Sequence, residues 1–335
     1  MIAPPGQPRW GHGYNGFWSR LFGVIWRNAV PVQAEVLGRE EFPESMRAFA
    51  YHAPKSLSEA VAVLEREGAG GRVLAGGTDL LVQAKERGVV PAYVVSLKDV
   101  AELAEITYDR SVGLFIGARV PLAVVAHSTD VRSQYSALAS GASLVGSHQI
   151  QNRGTVGGNI CNAAPSADTA PPLLVFEAIV AVHGPHGARD IPIDEFFVGP
   201  GATALAPGEV LVGISLPPPD LHAGSAYERH TPRQEMDIAV AGVAARVVLS
   251  SDGRIKNLRI ALGAVGPTPF RAKSAESRAT GQLPDDNTIR EVAELAANEA
   301  RPISDQRGSA TYRRRLVEVL TRRTVSAAIA QARDV

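Results

Sequence analysis

Two short stretches of the sequence pair glycines with hydroxyl and amide side chains, and both have the make-up of an anion cradle. The first is Ala75-Gly76-Gly77-Thr78-Asp79-Leu80; the second is Thr155-Val156-Gly157-Gly158-Asn159, followed by Ile160. Paired glycines let backbone amides converge on one point, because glycine takes positive φ without a Cβ clash. A helix start just beyond adds unpaired N–H groups and a partial positive charge. Hydrogen bonds to a charged acceptor contribute roughly 1.5–3 kcal/mol each, so a few amides would anchor a phosphate. One such stretch is equally an ordinary strand-to-helix turn, whereas two fit a dinucleotide pyrophosphate held from both sides. Neither reads Gly-x-Gly-x-x-Gly and neither carries Lys-Ser or Lys-Thr, which argues against a Rossmann NAD site and a nucleoside-triphosphate hydrolase. Asp168 follows Pro165-Ser166-Ala167. Its carboxylate is placed either to accept from a ribose hydroxyl or to cap a helix beginning at Ala170.

The rest of the composition narrows the chemistry. The chain has 335 residues, enough for two or three domains, and one cysteine, Cys161. A single thiol excludes an intrachain disulfide and an iron–sulfur cluster held by this chain alone. Any redox centre is therefore an organic cofactor or belongs to a partner. The low cysteine count fits a reducing compartment, taken here as the cytoplasm. Lys+Arg and Asp+Glu both number 34, so a nucleic-acid surface, which needs basic excess, is not expected. No nucleophile–base constellation is visible.

The elements that must position these loops alternate at first. A helix follows Pro54, with Ser58 as candidate N-cap and Ala60, Val61, Val63 and Leu64 as its apolar face. A strand over 72–75 breaks at Gly76-Gly77, a helix follows over 78–86, and a strand over 94–97 completes an α/β pattern. Further strands are expected over 114–118 and 179–182 and helices over 121–126 and 137–145, with the second glycine stretch read as a turn. Pro217-Pro218-Pro219 marks a boundary, since three prolines fix φ and remove donors. Beyond it, 238–249 and 258–265 flank an Asp252-Gly253 turn and read as a hairpin. Helices over 286–300 and 309–332 follow. Residues 1–45 contain Phe17, Trp18, Leu21, Phe22, Val24, Ile25 and Trp26 around Arg20 and Arg27. They read as an extension or a misassigned start, with Met46 as first residue, or as an interfacial or partner-docking helix.

Taken together, these motifs resemble a known family. Residues 75–80, Ile116-Gly117-Ala118, Asn152 to Asn159, Pro165 to Asp168, Tyr227-Glu228-Arg229 and Glu235-Met236-Asp237-Ile238-Ala239 are similar to the FAD-binding medium subunit of the xanthine dehydrogenase and aerobic carbon monoxide dehydrogenase family. The resemblance implies an α+β fold: a two-subdomain FAD-binding domain of the vanillyl-alcohol oxidase-like (PCMH) type over 46–219, divided near residue 100, then a C-terminal α+β domain over 223–332. It implies FAD, with residues 75–80 and 155–159 wrapping the pyrophosphate and Asp168 on the adenosine side. Ala118, Val145 and Leu211 would touch the cofactor, and Arg229 would lie near the isoalloxazine. It also implies partners: a two-iron two-sulfur small subunit and a molybdopterin-containing large subunit in a heterotrimer open to dimerisation, with electrons passing to NAD, oxygen or a quinone. Relatives carry threonines where this chain has Arg119-Val120-Pro121, and no histidine in the first loop could link a flavin covalently. The same fold also admits a self-sufficient flavin oxidase or a non-catalytic nucleotide-binding module. Gly157→Val is expected to abolish flavin retention while sparing the fold.

Other residues have plainer readings. Cys161 reads as a small buried side chain or a flavin-linking thiol. His148 reads as a packing or a proton-transfer residue, and His183 and His186 as a solvated turn or metal ligands. Arg313-Arg314-Arg315 and Arg322-Arg323 read as a solvated helix face or a dock for an acidic partner.

Overall fold

The computed structural model describes residues 48–86, 90–233 and 236–334. The readings for residues 1–45, Met46 and Glu235 fall outside them. The first sheet holds β1 (Ala50–His52), β2 (Gly71–Leu74) and β3 (Tyr93–Ser96), parallel in the order β1-β3-β2. The helix Leu57–Glu67 connects its first two strands and buries Ala60 and Val61, in one cluster with Tyr93 and Val95 of β3. Its cap is Ser56 rather than Ser58: the Ser56 hydroxyl accepts from the Glu59 amide at 3.2 Å, and Ser58 bonds the same hydroxyl from the side.

The second sheet contains β4 (Ile106–Asp109), β5 (Gly113–Gly117), β6 (Ile179–Gly184) and β7 (Gly187–Pro192). A short ribbon of β8 (Phe197–Gly199) and β9 (Ala202–Thr203) precedes its last strand, β10 (Val210–Leu216). The order is β4-β5-β10-β6-β7, antiparallel throughout. β10 thus returns to the middle, and Pro217-Pro218-Pro219 ends it.

The third sheet is an antiparallel run of β11 (Ala223–His230), β12 (Ala241–Leu249), β13 (Ile255–Gly263) and β14 (Phe270–Arg271). The expected hairpin is present, turning at Gly253 with φ 79°. Its first strand starts at Ala241 rather than Ile238, which stays half exposed in the preceding loop. The helices Asp286–Glu299 and Ala310–Arg333 bury Val292, Ala296, Val317, Leu320, Val325 and Ile329 in one cluster with Val243, Val247 and Ile260 of this sheet. Tyr227, Ala244 and Ala261 instead join the core of the second sheet, so the two cores meet across β11–β13. Among the described residues no helix is long and apolar enough to cross a membrane.

Candidate functional site

The two glycine stretches, far apart in sequence, touch in space. A Cβ placed on Gly76 would lie 2.1 Å from the Arg153 carbonyl oxygen and 2.8 Å from the Gly154 Cα, so only glycine allows this approach. Gly77, at φ 80°, supplies the left-handed turn. The second stretch is not a loop of positive φ. Thr155 caps the helix Val156–Cys161, its hydroxyl accepting from the Gly158 amide at 2.9 Å, and Gly157 and Gly158 lie in the first turn. Gly157 is required for a different reason: a Cβ there would meet the Ala118 carbonyl oxygen at 2.5 Å. Residues 75–80, 116–118 and 153–159 therefore form one junction. Asn162 fastens it, donating to Asp79 Oδ1 and accepting from Gln83 Nε2, both at 3.2 Å. The Gly157→Val expectation needs correction, because the larger side chain would push Ala118 away and disturb the fold as well as the cradle.

Among the described residues, the backbone amides of Gly76, Gly77, Thr78 and Gly157 have no hydrogen-bond acceptor. Gly157 is buried. A buried N–H without a partner costs roughly 1–3 kcal/mol, which an anionic oxygen would relieve.

Asp168 does not cap the helix Ala170–Val175, whose N-cap is Thr169. Its carboxylate is 6% exposed and accepts from the Tyr227 hydroxyl at 2.7 Å and from the Arg229 guanidinium. Tyr227 and Arg229 alternate along β11 and so share a face. Burial pushes the Asp168 carboxyl up to about 6, against the opposing pull of Arg229 and Tyr227. The Tyr227 hydroxyl is raised well above its usual range, first by burial and then by Asp168. Thr169, fully buried, donates to Asn159 Oδ1 at 2.6 Å and ties this segment to the second glycine stretch.

Residues 47–219 match the family model described as the FAD binding domain in molybdopterin dehydrogenase. This chain belongs to the family of FAD-binding subunits of molybdenum hydroxylases. Residues 226–328 match the CO dehydrogenase flavoprotein C-terminal domain. The chain is 35% identical to the xanthine dehydrogenase FAD-binding subunit of Escherichia coli, over 84% of this chain and 96% of that one. It is also 35% identical to the carbon monoxide dehydrogenase medium chain of Hydrogenophaga pseudoflava, over 84% and 98%. In three dimensions it is similar to carbon monoxide dehydrogenase from Hydrogenophaga pseudoflava, with TM-score 0.82 and 34% identity over 86% of this chain and 99% of that one. Quinoline 2-oxidoreductase from Pseudomonas putida gives 0.80 at 32% identity, over 86% and 99%.

The cofactor of this FAD-binding subunit fits the donor set: unmet amides from two converging stretches suit a pyrophosphate. The other expected residues are more dispersed. Ala118 is buried and its amide donates to the Val212 carbonyl at 2.9 Å, one residue beyond Leu211 on β10. Leu211 lies in the main core, and Val145 packs against that core while its carbonyl accepts from Gln151 Nε2 at 3.1 Å. Arg119 donates from Nη1 to the Val100 carbonyl at 3.2 Å.

Asp168 and Arg229, expected on the adenosine side and near the isoalloxazine, form one buried ion pair. Cys161 is a poor flavin linker, because burial pushes its thiol up to about 12 and keeps it protonated. His183 and His186 flank a hairpin turn, and no metal-holding group of His, Cys, Asp and Glu forms among the described residues. Arg313 is not on the solvated face of its helix; it is 3% exposed and paired with Asp305. Tyr227, which has no role in the sequence analysis, lies two residues from Arg229 on β11, and nothing local in the sequence points it at Asp168.

Proposed function

We propose that the FAD-binding subunit passes electrons from iron–sulfur clusters of a small partner subunit through its FAD to NAD, oxygen or a quinone, with a molybdopterin subunit upstream. When bound, FAD supplies the redox chemistry; the protein supplies position and electrostatics. Residues 75–80 and 155–159 hold the pyrophosphate with backbone amides, and Ala118 closes the junction against Gly157. Val145 and Leu211 line the cofactor with apolar surface. Asp168, Tyr227 and Arg229 act on one part of the cofactor as a single buried group. The observation that carries this reading is the contact of Gly76 with Arg153 and Gly154, which makes one cradle of two stretches. The lone cysteine supports the assignment of clusters to a partner.

A substitution that fills the cradle without disturbing the fold tests the reading. A Cβ on Gly158 would meet only the Thr155 hydroxyl, at 3.1 Å, and alanine is favoured over glycine in a helix by about 1 kcal/mol. Gly158→Ala should therefore keep its melting temperature and lose FAD affinity by at least about tenfold. Native purification of the tagged wild type should yield a yellow complex holding an iron–sulfur chain and a molybdopterin chain. Full flavin content in the variant would refute the cradle, and a tagged chain without those companions would refute the electron route.

A further inference from the structure

Arg313 is the member of the arginine run that the chain turns inward. Its Nη2 pairs with both carboxylate oxygens of Asp305, at 2.7 and 2.8 Å. Its Nη1 donates to the Val240 carbonyl at 2.8 Å and the Ala264 carbonyl at 3.2 Å. Its Nε is buried with no partner among the described residues. Burying a guanidinium with one donor unmet is costly, and a single hydrophobic side chain would fill the same space more cheaply.

Ala264, just beyond β13, has φ 62°, a left-handed conformation that an alanine adopts at a cost of about 1–2 kcal/mol. In that conformation its carbonyl faces Arg313 while its amide donates to the Pro165 carbonyl at 2.7 Å. Pro165 opens the segment that ends in Asp168. The neighbouring Gly263 presses on the following helix, since a Cβ there would lie 2.9 Å from Pro171 Cγ. The segment is thus gripped at both ends by the C-terminal domain: at Asp168 by Tyr227 and Arg229, and at Pro165 by Ala264.

We propose that Arg313 is a positioning residue for the cofactor site, holding Ala264 left-handed and through it fixing Pro165–Asp168 at the cradle. This rests on the placement of Asp168 at FAD proposed above. Arg313 acts through the Ala264–Pro165 hydrogen bond.

The test compares full-length variants by FAD dissociation constant, measured by fluorescence titration below every melting transition, and by apo melting temperature. Arg313→Met should raise the Kd about tenfold, the worth of one strong hydrogen bond. Arg313→Lys, which keeps a charged donor, should recover part of the loss and carries the test if the methionine variant does not fold. Val325→Ala, a core truncation on the same helix, should lower the melting temperature and leave the Kd within about twofold. Asp168→Asn should weaken FAD. If the foldable Arg313 variants bind FAD as Val325→Ala does, the proposal is overturned. Should Asp168→Asn still weaken binding in that series, only the role of Arg313 falls; if it too is silent, the placement of Asp168 falls with it.

Discussion

Asp168 carries a carboxylate into a place that water barely reaches, and that has a measurable sign. Burial pushes its folded carboxyl up to about 6, above the usual carboxylate range. As pH falls through 6 the folded state takes up this proton before the unfolded chain does. Stability contributed by Asp168 is thus lost as pH rises through 6 and is fully present only below about 4. Asp109, Asp237, Asp285 and Asp305 are lowered by hydrogen bonds, so their effects fall below that window. We expect the stability of the wild-type apoprotein, relative to Asp168→Asn, to rise between pH 7 and pH 5. Parallel melting profiles for the two proteins over that range would show that the buried carboxyl titrates elsewhere. Asp168 itself was legible in the sequence, because a carboxylate after Pro165-Ser166-Ala167 stands out. Its partners were not: Tyr227 and Arg229 arrive from a strand in another sheet, and no local pattern encodes that approach.

At the scale of elements, the structure shows how one domain completes another's helix. The helix Ser136–Ser143 begins at Tyr135, which offers no side-chain cap. The missing acceptor comes from β11: the Ser225 hydroxyl accepts from the Ala137 amide at 3.2 Å and meets the Ser136 hydroxyl at 3.0 Å. Gln331, on the C-terminal helix, accepts from both the Ser136 hydroxyl and the Ser225 amide at 3.1 Å. Ser225→Ala should leave a buried amide unpaired and cost about 1–3 kcal/mol, read as a lower midpoint in urea with an unchanged slope. An unchanged midpoint would mean that water satisfies the amide instead. Elements of this kind were read from the sequence with boundaries off by one to three residues. Strands β2 and β3 and the hairpin over β12 and β13 follow from apolar runs and an Asp-Gly turn, whereas the three-residue, largely exposed β1 carries no such signal. The second glycine stretch was misread as a turn because glycine argues for loops, whereas here Thr155 caps a helix and the glycines serve close packing against Ala118.

The whole molecule inverts the impression left by two family matches that meet near the triple proline. Tyr227, Ala244 and Ala261, all from the C-terminal sheet, are buried in the same cluster as Leu173, Ile214 and Phe176. Polar ties repeat the message. Arg271 and Arg259 both pair with Glu177, and Arg271 also reaches Asp194 at 3.5 Å. Separating the two parts would expose apolar surface on both and strand the charges of Asp168 and Arg229, a loss of several kcal/mol for the broken buried pair alone. Neither part can therefore melt while the other stays intact. Calorimetry of the full chain should show residues 48–334 unfolding in one transition whose calorimetric and van't Hoff enthalpies agree. Because FAD binds only the folded state, adding it at 100 times its Kd should stabilise that entire transition by about 2.7 kcal/mol. Two resolved transitions, or one of two responding to FAD, would mean that the domains are independent and that the C-terminal sheet leans on the cradle without holding it.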